Sequence, residues 1–344
     1  MRDWIERLGD IEPLEDAVFD AGLVAEMQAH AARTRARPVR FSTPTFKEYD
    51  SQEIKGCGKN AFPAFSITGG ACALDCDHCK AKILEPMIPA TKPEELDRKV
   101  RDLVMLQGLQ GFLLSGGSNR RNEIRYDKFY PVIEGLKRDF PEMRIAIHTA
   151  LTDVAGAKRM EAAGVDTAMM DVIGAQETIE QVYHLQRPVE DFEATLAALS
   201  ATKMEISPHI VIGLHYGQLL GEERALEMVA RYPTKALVLV VVMPFYATPG
   251  TFATVPADDV GRIFLRARQV LPDRDVLLGC ARPAGMHKRI TDAYAVMAGL
   301  DGIAFPAEGA VAVADMIGRP WEQAHACCSI KLGQGESLRA GCAA

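Results

Sequence analysis

The chain has 344 residues, 48% hydrophobic and 25% charged, with a formal net charge of −7. This length supplies a large core, as one big domain or two medium ones, and the acidic balance argues against a nucleic-acid partner, which asks for a basic surface. Met1-Arg2-Asp3-Trp4-Ile5-Glu6-Arg7 lacks the apolar centre of a signal peptide, and the longest apolar run, Ala236 to Phe245, is about half of what a membrane span needs.

Residues 3–35 carry helical periodicity broken near Pro13, and 38–63 read as an extended lead-in punctuated by Pro38, Pro44, Gly56, Gly58 and Pro63. From residue 64 onward, short apolar runs alternate with amphipathic segments, the signature of repeated βα units. Eight strands are expected at Ala64–Thr68, Gly111–Ser115, Arg144–Thr149, Thr167–Val172, Glu205–Leu214, Ala236–Pro244, Asp275–Cys280 and Gly302–Phe305. Helices are expected between them, for example at Pro93–Gln107, Asp127–Phe140, Asp153–Ala163 and Pro256–Val270, with Val311–Ile317 closing the series. Eight such units match a (β/α)8 barrel of the TIM type. An open doubly wound sheet is the alternative, but no Gly-x-Gly-x-x-Gly turn follows any strand. The expected organisation is an N-terminal helical extension and lead-in (1–63), a barrel (64–318) and a cysteine-bearing tail (319–344). Arg33, Arg35, Arg37 and Arg40 cluster in the lead-in, where a solvated or interdomain face is the plainer reading than phosphate binding.

Eight cysteines without a secretion signal point to a reducing, cytoplasmic setting, where thiols serve metals or catalysis. Cys72, Cys76 and Cys79 follow the first strand directly, so a barrel carries them on its catalytic face. A structural zinc site would use two Cys-x2-Cys pairs or a histidine pair. Three closely spaced thiolates suit a cubic [4Fe-4S] cluster with one iron left without a protein ligand.

This segment, Gly69-Gly70-Ala71-Cys72-Ala73-Leu74-Asp75-Cys76-Asp77-His78-Cys79, resembles the signature of the radical S-adenosylmethionine (radical SAM) enzymes. His78 stands where that family usually has an aromatic residue, and an imidazole can serve the same packing role. The resemblance implies a cluster that passes one electron to SAM, and a 5′-deoxyadenosyl radical that abstracts hydrogen from unactivated carbon. It also implies SAM contacts. Ser115-Gly116-Gly117 would meet the methionyl amino group, and Ile212-Gly213, in Ile210-Val211-Ile212-Gly213, the adenine. His148 and Asp171 lie on the same face, and Arg187 is a candidate cation for the SAM carboxylate.

Cys57, Cys280 and the adjacent Cys327 and Cys328 remain, with Cys342 a bystander in the terminal tail. Buried cysteines are commonly small hydrophobes. The sharper reading is a second, auxiliary [4Fe-4S] cluster held by Cys57, Cys280 and at least one of Cys327 and Cys328, with Ser329 beside them. Phe41-Ser42-Thr43-Pro44-Thr45-Phe46, the Cys57 segment, Phe65–Gly70 with the triplet, and Cys327-Cys328-Ser329 together resemble one subunit of the two-component, archaeal-type lipoyl synthase. The dense Cys-x4-Cys-x5-Cys motif of the single-chain lipoyl synthase is absent from the sequence.

That resemblance implies a sulfurtransferase that inserts sulfur into an octanoyl chain. Its partners would be a companion radical SAM subunit, a lipoyl carrier protein bearing octanoyl-lysine, and a low-potential electron donor of the ferredoxin or flavodoxin type. The alternatives are another biotin synthase-like radical SAM enzyme, acting in biotin formation, hydrogenase maturation or on an amino-acid skeleton, or a non-catalytic Fe–S protein.

Overall fold

The computed structural model describes residues 3–33, 37–44, 49, 51–54, 62–324 and 326–330. Its strands, in chain order, are β1 (Val39–Ser42), β2 (Ala64–Ser66), β3 (Ile88–Pro89), β4 (Gly111–Ser115), β5 (Arg144–His148), β6 (Thr167–Asp171), β7 (Glu205–Ile212), β8 (Ala236–Val241), β9 (Asp275–Leu278), β10 (Gly302–Ala304) and β11 (Trp321–Ala324). The eight strands expected from sequence are β2 and β4 to β10, each ending within a few residues of its expected bound. They lie side by side in that order, all parallel.

Three short strands were not expected: β1 in the segment read as lead-in, β11 in the tail, and β3 between the first barrel strand and the helix Pro93–Gln107. β1 and β11 extend the sheet beyond β10, with Val39 opposite Trp321 and Arg40 opposite Gly302, and β3 adds to the β2 edge. Among the described residues no ladder joins β10 to β2. The architecture is therefore a partial (β/α) barrel whose ring is not closed by hydrogen bonds.

Helices cover the outside of the sheet, as a parallel sheet requires. Pro93–Gln107 shows how local chemistry sets their limits: Pro93 occupies the first turn and Gly108, at φ 64°, ends it in the left-handed conformation. The N-terminal helix Ala21–Ala31 starts at Asp20, whose carboxylate accepts from the Leu23 N–H at 2.9 Å. It packs on Ala257–Val270 and Met286–Met297. Gly261 permits that contact, since a Cβ there would stand 3.0 Å from Leu23 Cδ2 as well as 2.9 Å from the Tyr294 ring.

The inner face is unusual in its small side chains. Barrels of this type are normally filled by bulky branched residues. Here Ala146 packs against Ala326 and Ile330, with Phe62 and Met169, while Ala236 and Ala304 pack in a second cluster against Cys328. The vacated space is occupied by residues 326–330, so the described part of the tail lies inside the barrel.

Two of the clustered arginines form part of the ion pairs that tie the sheet together. Arg37 reaches Asp275 at 2.6 Å and Asp301 at 2.9 Å, and Arg40 reaches Glu322 at 3.0 Å. Arg268, nearly fully buried, pairs with Asp301 at 2.6 Å. No helix among the described residues is long and apolar enough to cross a membrane. Asp301→Ala leaves the Arg268 charge buried with its partner removed, and is expected to cost about 3–5 kcal/mol in chemical denaturation.

Candidate active site

The loop after β2 is shaped by backbone before any ligand is considered. The Ser66 hydroxyl donates to the Gly69 carbonyl at 2.6 Å, and Gly69 turns with φ 60°. Ala73 N–H then donates to the Ser118 carbonyl at 2.9 Å, and the Cys72 thiol to the same oxygen at 3.7 Å. Left-handed Asp75, Lys80 and Ala81 make the remaining turns. Cys79 and Lys80 both donate backbone N–H groups to the Cys76 carbonyl.

Asp77 anchors the loop from outside. Its carboxylate meets Lys80 Nζ at 2.8 Å, His184 Nε2 at 3.1 Å and the Tyr216 hydroxyl at 3.1 Å. Gly117, after β4, presses on the other side: a Cβ there would lie 2.0 Å from the Ala71 carbonyl oxygen and 2.6 Å from Cys72 Cα. Only glycine allows this approach.

Cys76 is buried, with its thiol pKa pushed strongly upward by burial and by neighbouring Cys79 and Cys72. The Cys79 thiol is raised to about 11, burial again first, with Cys72 contributing. Three mutually close thiols, of which Cys76 and Cys79 resist ionisation by themselves, suit a polynuclear cation able to take all three as thiolates. The residues therefore fit an iron–sulfur cube. His78 stacks on Tyr183, ring centroids 5.2 Å apart at 27°, which fulfils the packing role expected of an imidazole there.

The triplet opens into a cavity of about 350 Å3 inside the barrel. All six described cysteines line it: Cys72, Cys76 and Cys79 in one group, Cys280, Cys327 and Cys328 in another. Of the residues expected from sequence, Ser115, Gly116, Gly117, His148 and Asp171 line it too.

Ile212, Gly213 and Arg187 do not. β7 alternates, so His209 and Val211 reach the cavity while Ile212 is buried away from it. Gly213 turns with φ 76° and donates its N–H to Glu222 at 2.8 Å. Arg187 pairs with Asp191 at 2.9 Å, off the lining. Cys57 lies outside the described residues.

His209 was missed by sequence reasoning, although counting back two residues from Val211 along an alternating strand points to it. With Asp171 and His148 it forms a polar group on an otherwise mostly apolar wall. His148 Nε2 lies 3.7 Å from Asp171, and the two imidazoles meet edge to face at 5.5 Å. Burial would raise the Asp171 pKa, but the interaction with His148 outweighs it and, with the His209 field, holds the carboxyl at about 2. Burial likewise opposes the His148 charge, and Asp171 overcomes it, raising that pKa. His209 is pushed down to about 4 by burial and by His148. Its Nδ1 donates to the Ser207 carbonyl at 3.1 Å, which leaves Nε2 as an acceptor.

In the second group, Cys327 and Cys328 interact directly. The Cys327 thiol pKa is lowered by the hydrogen bond from Cys328, whose own is raised by that bond and by burial. Ser329 Oγ lies 3.7 Å from Cys327 and 4.0 Å from Cys328. Cys280 is close enough to add to the cost of ionising Cys328.

Two tests follow from this geometry. Gly117→Ala must displace the Cys72 segment, so anaerobic reconstitution should give a several-fold loss of triplet-bound iron in a protein that remains folded by circular dichroism. Asp171→Asn removes the group that raises His148, so its imidazole should titrate below 6.5 by NMR rather than above. The sign is fixed by linkage. The stabilisation that His148 draws from Asp171 is complete below pH 6.5 and is lost as pH rises through its raised pKa. That of Asp171 is complete above about 4 and is lost as pH falls through about 2.

Comparison with known proteins agrees with this construction. Biotin synthase from Desulforudis audaxviator (strain MP104C) is 24% identical over 245 residues, covering 68% of this chain and 71% of that protein. Among solved structures, HydG, a maturase of the [FeFe]-hydrogenase, superposes with TM-score 0.59 at 16% identity, covering 88% of this chain and 68% of that one. Methylornithine synthase (PylB) gives TM-score 0.51 at 11% identity, covering 86% and 81%. Residues 66–229, which carry the triplet and β4 to β7 but not Cys280, Cys327 or Cys328, match the radical SAM superfamily. Over that segment the chain is similar to the radical SAM superfamily, and over its matched length it is distantly similar to biotin synthase.

Proposed function

We propose that this protein is a radical SAM sulfur-insertion enzyme and, more narrowly, one subunit of a two-component lipoyl synthase. The observation that carries the reading is the opening of two cysteine groups onto one largely apolar cavity. When bound at Cys72, Cys76 and Cys79, an iron–sulfur cube together with SAM supplies the one-electron chemistry that generates a carbon radical.

The chain's own residues do the rest. Ser115, Gly116 and Gly117 present the backbone beside the triplet, where a methionyl amino group would be held. Asp171, kept ionised by His148, accepts hydrogen bonds from hydroxyl or amino groups on the ligand. Val211, Val238, Val240, Leu113 and Met169 shed water from the space beyond and suit a hydrocarbon chain better than a charged one.

Cys280, Cys327 and Cys328 provide thiols for a second cluster, consumed as the sulfur-donating substrate, with Cys57 as the further ligand. The acyl chain would be the octanoyl group on a lysine of a carrier protein. A companion subunit would complete the pair, and a ferredoxin- or flavodoxin-type donor would deliver the electron.

A second reading is another biotin synthase-like enzyme, acting in biotin formation, hydrogenase maturation or on an amino-acid skeleton. It is favoured by the biotin synthase relative and by the fold shared with HydG.

Anaerobic incubation with SAM, reductant, the companion subunit and an octanoyl-lysyl peptide separates the two. Gain of sulfur on the peptide by mass spectrometry is the outcome expected for the lipoyl-type activity. Sulfur gain on dethiobiotin, with the peptide unchanged, would favour the second reading. Cys327→Ala should roughly halve the bound iron, from about eight atoms to about four, while reductant-dependent formation of 5′-deoxyadenosine persists. Iron unchanged from about four in both proteins would remove the sulfur-donor role.

A further inference from the structure

Cys280 does not follow a simple strand end. β9 stops at Leu278, and Gly279 donates its N–H to the Leu239 carbonyl at 2.7 Å. A Cβ at Gly279 would lie 2.6 Å from Val240 Cγ1, so only glycine lets the chain pass against β8. The Ala281 carbonyl then accepts the Val241 N–H at 2.9 Å. Cys280 is held between these two tethers, its side chain packed with Cys328 and Phe305.

Two residues on, Arg282 folds back over this turn. Its Nη1 donates to the Gly279 carbonyl at 2.8 Å and its Nη2 to the Phe305 carbonyl, beyond β10, at 3.0 Å. Nε and Nη2 meet the two oxygens of Asp292, on the helix Met286–Met297, at 2.6 and 2.8 Å. Asp292 also accepts the Ala307 N–H at 2.7 Å. Both side chains of the pair are fully inaccessible to solvent.

A charge pair without water is an expensive way to fill space. Apolar side chains of similar volume would stabilise as well or better. What the guanidinium offers beyond them is direction, because its donors form a rigid planar fork. That fork joins the turn carrying Cys280 to the β10 end, whose Phe305 packs with Cys328.

We infer that Arg282 and Asp292 are positioning residues which hold Cys280 in register with Cys327 and Cys328 for ligation of the second iron–sulfur cluster. This rests on the reading of those cysteines as an auxiliary site. The pair itself touches neither substrate nor cluster, and acts through the backbone on both sides of Cys280.

The test is the double variant Arg282→Met/Asp292→Leu, which replaces the pair by apolar side chains, together with Arg282→Lys, which keeps the charge balance and removes the fork. Each is reconstituted anaerobically beside the wild type, with iron content, EPR and thermal melting read together. The expected result is a melting transition retained, bound iron halved from about eight to about four atoms, and the second EPR signal lost. Reductant-dependent 5′-deoxyadenosine formation from the Cys72/Cys76/Cys79 site should persist.

Wild-type iron content and both EPR signals in Arg282→Lys, or in a folded double variant, would overturn the positioning role and leave the auxiliary-cluster reading intact. About four irons in the wild type itself would instead overturn the reading beneath it. Should the double variant fail to fold, Arg282→Lys decides alone.

Discussion

Small side chains on the inner face of the barrel are the constraint on which the rest depends. A parallel ring of this kind leaves a central space that must be filled, normally by layers of branched residues. Alanines at 64, 146, 236 and 304 leave that space open, and the chain fills it with its own segment 326–330. The cost of burying irregular backbone is offset by packing Ala326, Cys328 and Ile330 against the strands. Cys327 and Cys328 thereby enter the same cavity as a triplet about 250 residues earlier in the chain. The partial closure of the ring suits this arrangement. β1 and β11 occupy the flank beyond β10, and β11 delivers the chain directly to the inserted segment.

Electrostatics divides the cavity in two. Near the triplet, burial and mutual proximity hold thiols protonated until a cation repays their ionisation. On the adjoining wall, Asp171 is kept charged by His148, while His209 is kept neutral. A polar group on an otherwise apolar wall provides orientation without making the whole cavity attractive to water. The buried Arg282–Asp292 pair belongs to a different class, a charge spent on holding backbone rather than on facing the cavity.

Much of the fold was legible because strand-forming runs and helix periodicity are local signals. Gly111–Ser115 and Pro93–Gln107 were bounded correctly by their own glycine and proline punctuation. The short strands were not legible. Val39–Ser42 and Trp321–Ala324 have too few residues to show a period, and they exist because each completes the other's hydrogen bonding. His209 was passed over because an apolar strand hides which of its faces is inward. Arg187 was chosen for its charge and its place after a strand, and its partner Asp191, four residues on, takes it away from the cavity.

The sequence by itself determined the cysteine triplet, its place after the first barrel strand and the eight-strand count, because spacing and periodicity are carried by near neighbours. Only the tertiary structure decided that Cys280, Cys327 and Cys328 share the triplet's cavity, that the ring stays partly open, and that His209 rather than Ile212 faces inward. Those depend on residue size across a sheet and on contacts between distant segments, which no local pattern encodes.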